Sequence, residues 1–264
     1  MKRIVLSAVL SAGLAALVPL PLAAADLPPG LERAELLPAH LTADGTVMTA
    51  LHLDLAPDWK TYWRSPGETG VPPVFDWSGA PNVTRAVAHW PQPEVIESDG
   101  SRTLGYHDQL ILPIELTPAT PGQPIEGKVA IDLGLCLNIC VPAHLELPAP
   151  GPVAAGVDPR ITAALASAPA EGTATVTCTV TEIEDGLRVT AAVPGAPPEA
   201  AAMELDAPDM WVSQPELGRD GAAVTATADF VGPSGKPFAL DHAALRLTLI
   251  GDGGAVEYQG CTPA

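Results

Sequence analysis

The sequence predicts an all-β fold made of two tandem β-sandwiches, and three features indicate it. Apolar and polar residues alternate in short runs such as residues 49–55, where three leucines take alternate positions. This alternation is typical of strands with one buried face and one solvated face. Turn dipeptides such as Pro66-Gly67 interrupt the chain at intervals typical of a sandwich. A stiff proline-rich stretch at residues 148–152 separates two regions of this kind.

The domain organisation follows from these signals. We expect a first sandwich over residues 26–150, a linker over residues 151–170 and a second sandwich over residues 171–264. Within the linker, Asp158 suits the N-cap of a short helix, and Pro159 suits its first position.

The first 25 residues have the anatomy of a secretory signal peptide. Lys2 and Arg3 precede an apolar run that ends in the small residues 23–25, which predicts cleavage before Asp26. The alternative is an uncleaved anchor, because the run approaches spanning length. No later segment has about 20 consecutive apolar residues. We therefore expect a soluble periplasmic protein with no membrane span after cleavage.

The net charge of the chain limits the kinds of partner that it can bind. The formal net charge is −18, which argues against a nucleic-acid partner because phosphate contacts need Lys and Arg. Solubility is sufficient to explain this charge. The chain also offers little positive charge to stabilise a thiolate, so we expect an incoming partner to supply the first one.

Cys136 and Cys140 form the most informative motif. On a straight strand their Cα atoms would lie about 13 Å apart, beyond the roughly 4.4–6.8 Å of a disulfide. A three-residue hairpin loop over residues 137–139 would bring the sulfurs together, and Asn138 suits such a turn. Closing so short a loop stabilises the fold by only about 1–2 kcal/mol, whereas a short exposed bridge is easily reduced and re-formed. The spacing alone leaves a redox pair and a structural bridge both open.

Cys178 and Cys261 are predicted to form a structural disulfide. Such a bridge would join the two ends of the second domain, and a loop of this length corresponds to roughly 4–5 kcal/mol of stabilisation. Two buried free thiols are the alternative.

The first half of the chain resembles the amino-terminal periplasmic domain of the DsbD and ScsB thiol:disulfide interchange proteins. Four motifs carry the resemblance in the order of the family, and they lie at residues 59–67 (WKTYWRSPG), 73–77 (PVFDW), 105–113 (GYHDQLILP) and 136–142 (CLNICVP). The resemblance implies an immunoglobulin-like sandwich whose cysteine pair exchanges electrons. We extend that fold class to both sandwiches.

The resemblance also implies roles for particular residues. Cys136 and Cys140 match the redox pair, and Cys140 matches the cysteine that forms mixed disulfides. Residues 97–106 match a loop that caps the pair in the family, although the sequence Asp-Gly-Ser at its tip offers no aromatic side chain. The chain has neither the membrane core of the family nor its thioredoxin-like module, so we expect it to be one link of a relay.

Four further residues are expected to line the site, namely Trp63, Tyr106, Asp108 and Pro142. Core or edge packing of Trp63, a hairpin-end position for Tyr106 and a solvated Asp108 are the simpler interpretations. His144, four residues after Cys140, is a candidate third metal ligand, although a lone surface histidine is the simpler interpretation.

The leading hypothesis is a thiol–disulfide oxidoreductase-type electron carrier that needs no cofactor. Its partners would be thioredoxin-like periplasmic proteins and a membrane-bound electron donor. Its pathway would be disulfide reduction, cytochrome c maturation or copper-stress tolerance. One alternative is a Cu(I)-binding protein that uses Cys136, Cys140 and His144, since thiolates suit Cu(I). Another is a non-catalytic β-sandwich interaction module.

Overall fold

The protein consists almost entirely of β-strands. The structure, a computed structural model, describes residues 27–98, 101–207 and 209–264. The predicted signal peptide lies outside the described residues. The strands form sheets that pack as sandwich-like domains in tandem, with one short helix between them. The predicted all-β fold class is thereby confirmed.

The first sandwich contains two sheets. Its strands are β1 (Leu31–Leu36), β2 (His40–Leu41), β3 (Val47–Leu55), β4 (Lys60–Tyr62), β5 (Val74–Asp76), β6 (Val83–Ala88), β7 (Glu94–Ser98), β8 (Ser101–His107), β9 (Gln109–Pro118), β10 (Lys128–Cys136) and β11 (Cys140–Pro148). One sheet has the order β1-β3-β9-β6, with β2 paired to β3. The other has the order β11-β10-β4-β8-β7, with β5 paired to β10.

The core of this sandwich fixes which residues of β10 face outwards. Val129, Ile131, Leu133 and Leu135 alternate along the strand and all belong to the core between the sheets. Because successive side chains of a strand point to opposite faces, Cys136 lies on the outward face of its sheet.

The strand β3 departs from the predicted pattern of one buried and one solvated face. Leu51 and Leu53 are fully buried in the sandwich core, but Met48 and Ala50 on the other face are buried too. The helix α1 (Pro159–Ala166) covers that second face, where Ile161 packs against Met48 and Ala50. Local alternation did not reveal this cover, because it comes from a helix about a hundred residues further along the chain.

The helix α1 follows the predicted pattern. Asp158 is its N-cap and accepts a hydrogen bond from the backbone N–H of Arg160, and Pro159 occupies the first turn. The helix ends at Ala166, with Ser167 as its C-cap. It is the only helix in the described part of the chain, and it is too short to cross a membrane.

The second sandwich also contains two sheets. Its strands are β12 (Ala170–Glu171), β13 (Thr177–Glu182), β14 (Leu187–Pro194), β15 (Ala200–Leu205), β16 (Trp211–Val212), β17 (Glu216–Asp220), β18 (Ala223–Val231), β19 (Leu245–Gly251), β20 (Gly254–Gln259) and β21 (Thr262–Pro263). The sheet orders are β12-β20-β19-β15 and β16-β18-β14-β13-β21, with β17 paired to β18.

The two sandwiches are joined through Arg64, which directly follows the strand β4 and Trp63. Its Nε donates to Glu204 Oε1 at 3.0 Å, and its Nη2 donates to Glu257. Its guanidinium also stacks over the Trp63 ring, 4.1 Å from the ring centroid. A second contact is the hydrogen bond from Arg102 Nη1 to the carbonyl of Glu199, at 2.9 Å. The segment next to β4 is therefore held against the second domain.

Candidate functional site

A tight hairpin brings Cys136 and Cys140 together. The strands β10 and β11 pair in antiparallel register from Lys128 opposite Pro148 to Cys136 opposite Cys140. Residues 137–139 form the loop, as the spacing predicts. The two sulfurs are bonded, and the Cα atoms lie 4.1 Å apart.

The two cysteines differ sharply in exposure. Cys136 is only 1% exposed, whereas Cys140 is an exposed residue. The loop between them presents Ile139, which is 78% exposed. A partner therefore reaches the disulfide from the side of Cys140.

Tyr62 is the side chain that contacts the disulfide. Its hydroxyl lies 2.7 Å from Cys136 Sγ and 2.9 Å from Cys140 Sγ. Since the bonded sulfurs carry no hydrogen, the hydroxyl is the donor in both contacts. Burial raises the pKa of Tyr62, so the phenol stays protonated and able to donate.

Neighbouring residues leave room for the Tyr62 ring. Gly134 lies under it, and a Cβ at that position would come within 3.1 Å of the ring and 2.8 Å of Val71. A Cβ at Gly70 would come within 2.9 Å of the ring from another side. The backbone of Val71 is fixed to β10 because its carbonyl accepts a hydrogen bond from Gly134 N–H at 3.3 Å. The segment that follows β4 thus folds back over the tyrosine, whose hydroxyl contacts Cys136.

Trp63 and Tyr106, two of the residues predicted to line the site, lie in the sandwich core. Trp63 is fully buried, and the Tyr106 hydroxyl donates to the carbonyl of Pro91 at 2.8 Å. Tyr106 stands opposite Thr61 on β4, one position from Tyr62, so it occupies the other face of the sheet. The structure does not bring either side chain to the sulfurs.

Pro142 and Asp108, the other two predicted lining residues, are both exposed. Pro142 lies two positions beyond Cys140 on the same face of β11, opposite Gly134. Asp108 occupies the turn between β8 and β9 with φ at 58°. Pro142 thus borders the disulfide, whereas Asp108 belongs to the turn at the end of the neighbouring strand.

His144 lies away from the disulfide. It stands four residues beyond Cys140 on the extended strand β11, a separation of about 13 Å. Its Nδ1 lies 2.7 Å from Asp132 Oδ1 on the paired strand. No cluster of three or more His, Cys, Asp or Glu side chains suited to a metal occurs among the described residues. The three-ligand set of the copper alternative is therefore not assembled.

Cys178 and Cys261 are bonded to each other across 83 residues. Cys178 is 2% exposed and packs in the core of the second sandwich. Cys261 lies just before β21, which pairs with the strand that carries Cys178. The bridge thus joins the first and last strands of one sheet.

The segment that matches the family's cap loop forms the hairpin of β7 and β8. Its tip, residues 99–100, lies outside the described residues, and Arg102 next to the tip contacts the second domain. Ser101 is six positions along β8 from His107, the residue in register with Lys60 and hence with Cys136. In the structure, Tyr62 is the side chain that contacts Cys136, and residues 66–71 lie against the Tyr62 ring.

The fold and the hairpin disulfide define the class of protein, a β-sandwich with a disulfide at the end of one sheet, of which Cys140 is exposed to solvent. Residues 31–149 match the family described as thiol:disulfide interchange protein DsbD, N-terminal. The resemblance inferred from the four sequence motifs is confirmed.

One solved structure extends the likeness over most of the chain. It is the N-terminal periplasmic domain of ScsB from Proteus mirabilis, with 25% sequence identity and a TM-score of 0.61. The match covers 85% of this chain and 91% of that one, so both sandwiches take part in it. No curated protein matches the sequence.

Proposed function

We propose that the protein is a periplasmic electron carrier that exchanges thiols and disulfides with partner proteins through Cys136 and Cys140. The observation that carries this proposal is the asymmetry of the pair, in which an exposed Cys140 is bonded to a buried Cys136. An exposed sulfur can be attacked, and a buried one can act only within the molecule. The family match supports thiol–disulfide interchange as the chemistry.

The exchange begins when a partner thiolate attacks Cys140 Sγ. A new disulfide forms between the partner and Cys140, the Cys136–Cys140 bond breaks, and its electron pair passes to Cys136 Sγ. The Tyr62 hydroxyl, 2.7 Å from that sulfur, donates a hydrogen bond to the thiolate as it forms. A second thiolate of the same partner then attacks the mixed disulfide, which leaves the partner oxidised and the pair reduced. Electron donation to another partner is the reverse sequence.

The surface around Cys140 fits a protein partner. Val71, Val74, Leu137 and Ile139 are apolar residues with exposed fractions between 39% and 78%, and they flank the outward face of the β10–β11 hairpin. Apolar surface of this kind marks contact sites for proteins. Thioredoxin-like periplasmic proteins and a membrane-bound donor are the partners we propose, in disulfide reduction, cytochrome c maturation or copper-stress tolerance.

We propose that the exchange needs no cofactor, because two electrons are held by the two sulfurs themselves. Cu(I) binding by the same thiolates remains the alternative. It would have to proceed without His144, given the separation along β11.

Trapping of partners tests the proposal. Replacing Cys136 with Ala should give mixed disulfides with periplasmic proteins, because Cys140 can still attack but nothing resolves the product. Replacing Cys140 with Ala should give none, since Cys136 is buried. The measurement is recovery from periplasm under non-reducing conditions. Equal trapping by both variants, or by neither, contradicts the assignment.

A further inference from the structure

Lys60 lies directly beside the buried cysteine. The two residues are register partners on the antiparallel strands β4 and β10. Such partners have Cα atoms about 4.5–5.5 Å apart, and their side chains share one face of the sheet. Lys60 is also on the face of Tyr62, two positions along β4, whose hydroxyl contacts both sulfurs.

The side chain of Lys60 forms no salt bridge with a described carboxylate. Lys60 is only 7% exposed, and buried lysines are almost always paired. Among the described residues no carboxylate lies within 4.0 Å of its ammonium nitrogen. A largely buried lysine, with no acid beside it and in register with a cysteine whose sulfur becomes an anion, calls for a functional explanation.

The other charged groups near this end of the sheet are engaged or solvated. His107, the register partner of Lys60 on β8, contacts Glu94 at 2.9 Å. Asp58 and Asp108 are exposed in the turns next to β4 and β8, where salt and water screen their charges.

On the β10–β11 hairpin the nearest charged groups of the same face are Asp132 and His144, which contact each other at 2.7 Å. Both stand four residues from a cysteine of the pair, about 13 Å along an extended strand. Glu68, on the segment that folds over Tyr62, is exposed. Lys60 is thus the cationic residue that is in register with Cys136.

We propose that Lys60 stabilises the thiolate that Cys136 becomes when a partner attacks Cys140. This inference rests on the proposed exchange function and specifies its leaving group. When the disulfide breaks, the electron pair stays on Cys136 Sγ, and the ammonium of Lys60 compensates its charge while Tyr62 donates a hydrogen bond.

This arrangement has a kinetic consequence. Thiol–disulfide exchange is faster when the leaving thiol is more acidic, and a neighbouring lysine makes a thiol more acidic. A single well-placed lysine thereby supplies what the net charge of −18 does not. The partner provides the attacking thiolate, as expected from the net charge, and Lys60 stabilises the departing one.

Titration of Cys136 tests the proposal. In a Cys140→Ala background, with Cys178 and Cys261 still bonded, Cys136 is the single thiol of the mature chain. Its ionisation can be followed by the ultraviolet absorbance of the thiolate. We expect Lys60→Met to raise the titration midpoint by about one pH unit, as for loss of an opposite charge at close range. Lys60→Arg should leave the midpoint close to that of the parent.

Lys128→Met is the matched control. Lys128 lies at the far end of β10 and is exposed, with its Nζ 3.0 Å from Glu146, so its loss changes the net charge equally but far from Cys136. This control should not move the midpoint. Lys60→Gln, which is polar but uncharged, serves as a second test variant in case Lys60→Met does not fold.

Two outcomes separate this inference from the proposed function. An unchanged midpoint in the folded, uncharged Lys60 variants overturns the role of Lys60, even if partner trapping succeeds. A raised midpoint in a protein that traps no partner leaves Lys60 as the stabilising cation and overturns the exchange function instead.

Discussion

At the scale of single residues, Tyr62 controls the environment of the disulfide. Its ring lies close to the backbone at Gly134 and Gly70, and its hydroxyl contacts both sulfurs. A fixed donor is ready before charge develops on Cys136 and needs no reorganisation during the exchange. The position of the hydroxyl, and not merely its presence, therefore matters for the reaction.

Replacing Tyr62 with Phe should slow thiol–disulfide exchange about tenfold. A hydrogen bond to a charged group contributes about 1.5–3 kcal/mol, part of this is realised in the transition state, and about 1.4 kcal/mol corresponds to a factor of ten. The measurement is the rate of reduction by a small dithiol. Tyr106→Phe is the control, because its hydroxyl bonds to Pro91 on the other face of the sheet. Equal slowing by both variants would assign the effect to general destabilisation.

At the scale of elements, the location of the short strand β4 could be predicted from the sequence, but the face that it turns to the sulfurs could not. The motif at residues 59–67 identified the segment, and the cysteine spacing identified the hairpin that lies beside it. The sequence did not show which face of β4 meets the sulfurs, because a shift of one residue exchanges the two faces of a strand. In a strand of three residues no alternation fixes the choice, so the prediction names Trp63 as a lining residue and misses Tyr62.

Lys60 was overlooked for a related reason. Its relation to Cys136 depends on the pairing of β4 with β10, which are separated by more than 70 residues in the chain. Four motifs in the right order indicated that these segments belong to one domain, but register between distant strands follows from packing that no local pattern encodes. The same holds for β3, whose second face is covered by α1.

The helix α1 gives a prediction about its own cap. Replacing Asp158 with Ala should lower the free energy of unfolding by about 1 kcal/mol at neutral pH, because the first turn loses its capping acceptor. Asp158→Asn should retain most of the stability, since Asn caps as well. The measurement is urea unfolding of the three proteins, and equal stability of Asp158→Ala and the parent would contradict the assigned cap.

The effect should depend on pH in a defined direction. Hydrogen bonds from Arg160 lower the pKa of Asp158, so the carboxylate is favoured in the folded state. Its contribution is present above the unfolded pKa of about 3.9 and is lost as the pH falls through the lower folded pKa. The difference between parent and Asp158→Ala should therefore shrink below about pH 4.

At the scale of the whole molecule, the two disulfides have separate tasks. One closes a three-residue loop beside solvent, and the other joins strands 83 residues apart with one sulfur in a core. Arg64, by contrast, links the two domains through its contacts with Glu204 and Glu257. The scaffold can thus remain intact while the hairpin disulfide changes its redox state.

Mild reductant should distinguish the pairs. Cys136 and Cys140 should be labelled first in thiol alkylation followed by mass spectrometry, because Cys140 is exposed whereas Cys178 is 2% exposed. Labelling after denaturation in reductant should modify all four cysteines and serves as the control for reagent access. Simultaneous labelling of both pairs under native conditions would contradict the division of tasks.

The ladder between β10 and β11 limits how the two redox states can differ. Nine residue pairs hold these strands in register, and only the last pair carries the sulfurs, so opening the bond leaves the other eight in place. A partner would then meet nearly the same surface on the reduced and the oxidised protein and would bind both about equally well. The form that cannot react with a given partner would compete with the form that can. The rate of electron transfer would therefore follow the ratio of the two forms rather than the total amount of protein.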